Sequence, residues 1–252
     1  MSSNALYTDL SAYYDLMCAD IDYQAQSTMA RRLHQLFGSG SRHLDLACGT
    51  APHIEHFIHF GYDSSGLDIN QPMLDLAQRR CPSASFAMKD MCNFTVEQPF
   101  DLITCFLYSI HYSGNTAQLQ QCFASVYAAL NDGGVFCFNV VDKDKINNAL
   151  SQRHSVENEG STFAFQSGWF YGHGGDQQTL RLRIDKTTAG VTESWRDEHA
   201  MVAFSFAELQ GYLAALFEVY LFEHDDQKIL PWNTTSGNAV VVCVKKPGAG
   251  LH

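Results

Sequence analysis

The sequence predicts an α/β fold: a parallel sheet covered on both faces by helices, with a small antiparallel insert near its C-terminal edge. Three observations carry that expectation. From His43 to Val141, short continuous apolar runs alternate with helical periodicity, the grammar of strands buried on both faces. Beyond residue 145 the period drops to two, as in Thr179-Leu180-Arg181-Leu182-Arg183-Ile184-Asp185, which describes a half-solvated antiparallel strand. From Ser205 the helical spacing returns, and two further apolar runs follow.

The elements follow in order. Leu6 to Phe37 reads as helix broken near Asp20. His43–Ala47, Ser64–Ile69, Ala84–Met88, Phe100–Phe106 and Val135–Val141 read as strands, with helices at Pro52–Phe60, Pro72–Arg80 and Ala117–Leu130 between them. Asn70 is placed to cap the helix that holds Pro72 in its first turn, and Asn131-Asp132-Gly133-Gly134 is expected to end the long helix. Ser161–Tyr171, Thr179–Asp185 and Thr192–Phe204 form the insert, turning at Gly172-His173-Gly174-Gly175 and Ala189-Gly190. Ser205-Phe206-Ala207-Glu208 is a capping box for a helix to about Leu216, and Glu218–Glu223 and Ala239–Lys245 close the chain as strands. The expected organisation is an N-terminal helical lid over residues 1–40, a core over 41–145, the insert over 146–204, and a C-terminal helix with closing strands over 205–252.

Composition excludes several functions. With 16 Lys+Arg against 27 Asp+Glu, a formal charge of -11, the chain lacks the dense basic patch that nucleic acid demands. The longest apolar stretch, Ala239–Val244, falls far short of the ~18 residues of a membrane span. Asp9, Asp15, Asp20 and Asp22 precede the first cation, Arg31, the reverse of a signal peptide. The 8 cysteines show no C-x-x-C pair and sit in apolar surroundings, so buried thiols in a reducing cytoplasm are expected. His53-x-x-His56-x-x-His59 spreads around its helix without a second cluster, so no metal is expected.

The informative segment is Asp45-Leu46-Ala47-Cys48-Gly49-Thr50-Ala51, a strand ending in an acid and running through small residues into a helix. Small residues admit a ligand close to the backbone, and the helix start offers unpaired N–H groups. A dinucleotide fingerprint needs more glycines than this turn has, which disfavours a nicotinamide-dependent oxidoreductase. Asp68 ends the second strand, where an acid can accept ribose hydroxyls. Lys89-Asp90-Met91, Phe100-Asp101-Leu102-Ile103-Thr104-Cys105 and Leu130-Asn131-Asp132-Gly133-Gly134-Val135 follow in order. Together these resemble the class I S-adenosylmethionine (SAM)-dependent methyltransferases, with alanine at two motif positions that are usually glycine. The resemblance implies a Rossmann-like, doubly wound sheet of seven strands, the last antiparallel. It implies that Asp45, Ala47 and Gly49 line the methionine part of SAM, with Cys48 also in the cofactor site, and that Asp68 holds the ribose. Ile69 and Met91 would flank the adenine, Asp90 would hold its amino group, and Met73 and Phe106 complete the cofactor set.

Ala12-Tyr13-Tyr14-Asp15, Cys105-Phe106-Leu107-Tyr108-Ser109-Ile110, and His199 ahead of Phe204-Ser205 are similar to the sugar N,N-dimethyltransferases, which methylate amino groups of nucleotide-linked deoxysugars. The strand-four loop departs from that group, reading Ser109-Ile110-His111-Tyr112 where Ser-Ile-Gly-His is usual. Nucleic-acid methyltransferase signatures are missing from the same loop. The expected activity is therefore methyl transfer to an amine or hydroxyl of a small polar metabolite. A SAM-binding module without catalysis is the other reading. Candidate acid–base groups are His111, Tyr112, Tyr14 and His199; strand alternation puts Trp195, Asp197 and His199 on one face.

Overall fold

The computed structural model describes residues 14–248. Expectations for residues 1–13, including the Ala12-Tyr13 part of the N-terminal motif, lie outside the described residues. Helices α1 (Tyr14–Met17) and α2 (Tyr23–Phe37) precede β1 (Arg42–Leu46). Then come α3 (Pro52–His59), β2 (Asp63–Asp68), α4 (Gln71–Arg80), β3 (Ser85–Met88) and β4 (Phe100–Cys105). A 3-10 turn, Ser109–Ser113, leads into α5 (Thr116–Ala129) and β5 (Leu130–Val141). The insert is β6 (Ser151–Asn158), β7 (Ser161–Tyr171), β8 (Gln177–Thr188) and β9 (Val191–Val202). Helix α6 (Phe206–Leu213), β10 (Phe217–Glu223) and β11 (Asn238–Lys245) finish the chain.

Seven strands form one sheet in the order β10-β11-β5-β4-β1-β2-β3, and β6 to β9 form a separate four-stranded sheet in sequence order. Strands β1 to β5 pair in parallel, whereas β11 runs antiparallel to both β5 and β10. The chain reverses its winding direction between β1 and β4, so a crevice opens above the C-terminal ends of those two strands.

Alternation along the central strands builds both faces of the large sheet. Phe136, Phe138 and Val140 point into a core shared with Phe123 and Val126 of α5 and Leu209 of α6. Val135 and Cys137 point the other way, onto Met29 and Leu33 of α2 and Phe57 of α3. Each such side chain contributes about 1.5–3 kcal/mol through burial, which explains why these runs are continuously apolar. All eight cysteines are free and buried. Among the described residues no helix is long and apolar enough to cross a membrane.

The helix starts are fixed by caps. Asp22 accepts the Ala25 N–H and Asn70 the Met73 N–H, while Ser205 and Glu208 close a reciprocal capping box. Two expectations need correction. Asn131–Gly134 does not stop α5 in a loop; β5 already begins at Leu130 and these residues form a bulge. The pairing jumps from Phe100↔Leu130 to Leu102↔Val135, and Gly133 takes φ 74°. Strand β6 was not anticipated, because Ser151–Asn158 is a polar edge strand with little apolar signal.

Candidate active site

The turn from β1 to α3 has an unusual backbone. Ala47, Gly49 and Ala51 all lie in the left-handed region, at φ 51°, 54° and 64°. Only glycine reaches that region without steric cost, and an alanine there forfeits roughly 1–2 kcal/mol. Two alanines therefore hold a glycine conformation. The Cys48 N–H donates to the Leu67 carbonyl at 3.0 Å and the Gly49 N–H to Asp68 Oδ2 at 2.9 Å, locking the turn onto β2. A Cβ on Gly49 would meet no protein atom within 4 Å, so the space above this residue is open. Cys48 turns inward instead, its thiol raised well above its ordinary range by burial. Its sulfur lies where a Cβ on Gly66 would come within 2.7 Å. Cys48 nevertheless lies beside Ala47 and Gly49 in the lining of the cleft.

Asp68 forms the next part of the rim. Its two oxygens accept from the Gly49 and Asn70 N–H groups, each at 2.9 Å. Partial burial raises its pKa, opposed by these hydrogen bonds. Beside it Ile69 is 73% exposed, too much for a core residue and suited to covering a flat apolar ligand surface. Asp90 is exposed, with Oδ1 accepting the Cys92 N–H at 2.8 Å. Met73 and Met91 are packed into the cores of their neighbouring elements, so neither side chain is on the rim. Methionine next to a motif is a weak signal, because its usual task is filling a core.

Asp45 forms the floor. It is buried and accepts from the Thr104 hydroxyl at 2.6 Å; Thr104 in turn accepts from His43 Nε2 at 2.8 Å. Burial pushes the Asp45 carboxyl up to about 7; the Thr104 hydrogen bond opposes this and the charge of Asp68 adds to it. The cleft above Asp45 continues past Ala47, Gly49, Phe106, Leu107 and Ser109, with Tyr23 and His53 on the other side. His53 donates Nε2–H to Gln26 at 3.0 Å and packs its ring against Phe106. Burial lowers His53 to about 3, so it is a neutral wall residue. No group of three His, Cys, Asp or Glu that could hold a metal occurs among the described residues.

On the far side of β4 the expected base fails. His111 is fully buried, its Nδ1–H donating to the Val202 carbonyl at 2.8 Å and its Nε2 accepting the Val141 N–H at 3.1 Å. Its ring stacks on Phe204 at 4.5 Å, and burial lowers it to about 4. Both nitrogens are used in joining β5 to β9, so His111 is a structural knot with no free nitrogen to act as the expected base. Tyr112 has the better placement. Its hydroxyl lies 2.5 Å from His199 Nδ1, and His199 Nε2 is 3.1 Å from Asp197 Oδ2. A carboxylate can only accept, so Nε2 carries a proton, and Nδ1 shares its hydrogen bond with the Tyr112 hydroxyl. Asp197 and His199 are buried on the inner face of β9, and Tyr112 alone keeps exposed surface. Trp195 shares that face but packs distally, beside Phe163, Phe165 and Ile184. Tyr14 opens α1; its side chain lies outside the described residues.

Four residues of this region had no site role in the sequence reading. Leu107 and Tyr108, at φ 55° and 60°, make a second left-handed turn at the exit of β4. The Tyr108 N–H donates to Asn139 Oδ1 at 2.9 Å, and Asn139 reaches His224 Nε2 at 3.1 Å. Tyr108 also meets Trp169 of the insert edge-on, with centroids 5.5 Å apart. A lone asparagine in the apolar run Val135–Val141 was a readable signal for Asn139; nothing local marks His224.

Residues 44–134 match the family model of a methyltransferase domain. Over 115 residues the chain is 34% identical to the dTDP-3-amino-3,4,6-trideoxy-alpha-D-glucopyranose N,N-dimethyltransferase of Streptomyces venezuelae, covering 45% of this chain and 48% of that protein. It is 33% identical over 92 residues to the dTDP-4-amino-2,3,4,6-tetradeoxy-D-glucose N,N-dimethyltransferase of Saccharopolyspora spinosa, covering 36% and 37%. The matched stretches thus span half or less of these two relatives. The crystal structure of Streptomyces venezuelae DesVI is similar with a TM-score of 0.80 at 26% identity, covering 94% of this chain and 99% of that one. SAM-bound CalS10, an amino pentose methyltransferase of Micromonospora echinaspora, shares the fold at TM-score 0.78 and 22% identity, covering 95% and 97%.

Two outcomes follow from this geometry. Ala47→Gly stabilises the protein by a few tenths to about 1 kcal/mol, and Gly49→Ala costs about 1 kcal/mol, in denaturant unfolding. Equal signs for the two would contradict the left-handed turn. Asp45 holds its proton in the folded state up to about 7 but releases it near 3.8 when unfolded. Wild-type stability relative to Asp45→Asn should therefore fall as pH rises from about 4 to about 7, by at most on the order of 4 kcal/mol. Parallel stability–pH curves would show that Asp45 is not held neutral.

Proposed function

We propose that this chain, which carries a methyltransferase domain at residues 44–134, binds SAM in the cleft above β1 and transfers its methyl group to an amine of a small polar acceptor. The observation that carries the cofactor reading is the open space over left-handed Gly49, flanked by Asp68 and exposed Ile69. That set matches a nucleoside joined to an amino acid: a carboxylate for vicinal hydroxyls, an apolar surface for a base, and bare backbone where the chain of the ligand passes. Asp68 would hold the ribose, Ile69 and Asp90 the adenine, and Asp45, Ala47, Gly49 and Phe106 the methionine end. A cationic ligand group near Asp45 favours the ionised carboxylate, so binding below about pH 7 should release a proton.

When bound, SAM supplies a methyl group already activated on a sulfonium. What remains for the protein is alignment and exclusion of water, which can account for most of the acceleration in such a displacement. The acceptor nitrogen must also be unprotonated to attack. The Tyr112 hydroxyl would take a proton from the acceptor ammonium as its own O–H proton passes to His199 Nδ1, leaving an imidazolium against Asp197. One proton then leaves to solvent for each methyl transferred. The insert, with Trp169, His199 and Asp197 on its inner side, would form the acceptor wall. An amino sugar linked to a nucleotide is the acceptor class favoured by the names of the matched relatives. The eight buried free thiols support a reducing, cytoplasmic setting.

Calorimetry with S-adenosylhomocysteine should show binding that Asp68→Ala weakens roughly 10- to 150-fold. Stabilisation by NADPH and not by S-adenosylhomocysteine would overturn the cofactor reading. With an amino-sugar panel, Tyr112→Phe should lower kcat about 100-fold near neutral pH, with recovery at higher pH and unchanged cofactor affinity. Silence of the wild type over broad amines would favour a binding module without catalysis; full activity of the variant would remove Tyr112 from the proton path.

A further inference from the structure

The exit of β4 is strained and sits between the cofactor cleft and the insert. Leu107 and Tyr108 occupy the left-handed region in succession, and neither is a glycine. Such a turn persists only where its surroundings over-determine it. Here the restraint is Asn139, 1% exposed on β5, whose Oδ1 accepts the Tyr108 N–H. That bond orients the amide, so Asn139 Nδ2 is the atom facing His224 Nε2 at 3.1 Å. Two N–H groups cannot face each other. His224 Nε2 must therefore be the acceptor, which leaves the imidazole neutral with its proton on Nδ1. The His224 ring also stacks on Tyr108, centroids 5.8 Å apart and planes 19° off parallel.

We propose that His224, reaching over from the end of β10, is a positioning residue for methyl transfer: through Asn139 it clamps the Leu107–Tyr108 turn in the conformation that presents Leu107 and Ser109 to the cofactor cleft. The proposal rests on the reading of that cleft as the SAM site. The clamp works only with neutral imidazole, because protonation puts an N–H on Nε2 against the Asn139 amide. The carboxyl groups on the elements around His224 are Asp226 and Asp225 on the same loop and Asp22, the α2 cap. From β4 the facing titratable group is the stacked Tyr108 phenol. Acidification should therefore loosen the β4 exit and weaken cofactor binding.

The test compares wild type, His224→Ala and Asn139→Asp by calorimetry with S-adenosylhomocysteine from about pH 8 to about pH 5.5. The Asp45 titration is common to all three and cancels in the comparison. At the upper pH, His224→Ala should bind about tenfold more weakly than wild type, and it should lose the part of the acid sensitivity that His224 contributes. Asn139→Asp supplies a carboxylate that accepts both the Tyr108 N–H and a protonated imidazole's Nε2–H, so its affinity should hold or rise on acidification relative to wild type. Wild-type affinity and slope in His224→Ala would overturn the clamp. Nitrogen NMR of the His224 ring gives a second readout independent of ligand: Nε2 unprotonated and Nδ1 protonated near neutral pH supports the clamp, and the opposite tautomer refutes it. If the wild type binds no S-adenosylhomocysteine, the cofactor reading fails, and the tautomer still decides the clamp.

Discussion

The left-handed backbone at residues 47, 49 and 51 is the constraint on which the rest of this structure depends. It turns the chain from β1 into α3 sharply enough that N–H groups face β2, where the Leu67 carbonyl and Asp68 receive them. Asp68 is thereby immobilised at the rim and Asp45 is sealed beneath it. The cost of placing alanine at two of these positions is carried by packing: Ala51 is fully buried among Ile54, Leu74 and Ala77. A relaxed turn would point these N–H groups elsewhere and close the space over Gly49. The open space over Gly49 is thus a consequence of backbone conformation more than of any single side chain.

The four-stranded insert shows a gradient along its inner face. Farthest from the large sheet, Phe163, Phe165, Ile184 and Trp195 pack with Leu16, Met17 and Cys18, and His154 donates to the Leu16 carbonyl at 2.8 Å. Nearer the cleft the same face turns polar, with Asp197 and His199, and aromatic, with Trp169. The apolar end joins the insert to the N-terminal segment, while at the polar end Asp197 and His199 are buried behind Tyr112. His111 secures the junction by bonding to both Val141 of β5 and Val202 of β9.

The doubly wound core was legible because strands buried on both faces leave an unbroken apolar run, and the caps at Asn70 and Ser205 are local chemistry. The rim of the cleft was legible for a related reason: Asp45, Gly49 and Asp68 sit at or just beyond the ends of strands that the alternation of strand and helix locates. What failed was non-local. His111 and Tyr112 are neighbours in sequence, but only burial separates a knot from a polar relay. Asn139 and His224 are paired across β11, which no local pattern encodes. Strand β6 is polar because one edge of it meets solvent, and Asn131–Gly134 reads as a helix stop because a bulge uses the same residues as a turn.

Asp68 and the turn that holds it are central to the proposed function, and a crystal structure with S-adenosylhomocysteine tests them most directly. The ribose hydroxyls should lie on the Asp68 carboxylate, the ligand should cross bare Gly49, and its sulfur should face the Leu107–Ser109 exit of β4. Ligand bound away from Asp68, or a β1–α3 turn without left-handed residues at 47 and 51, would contradict the proposal.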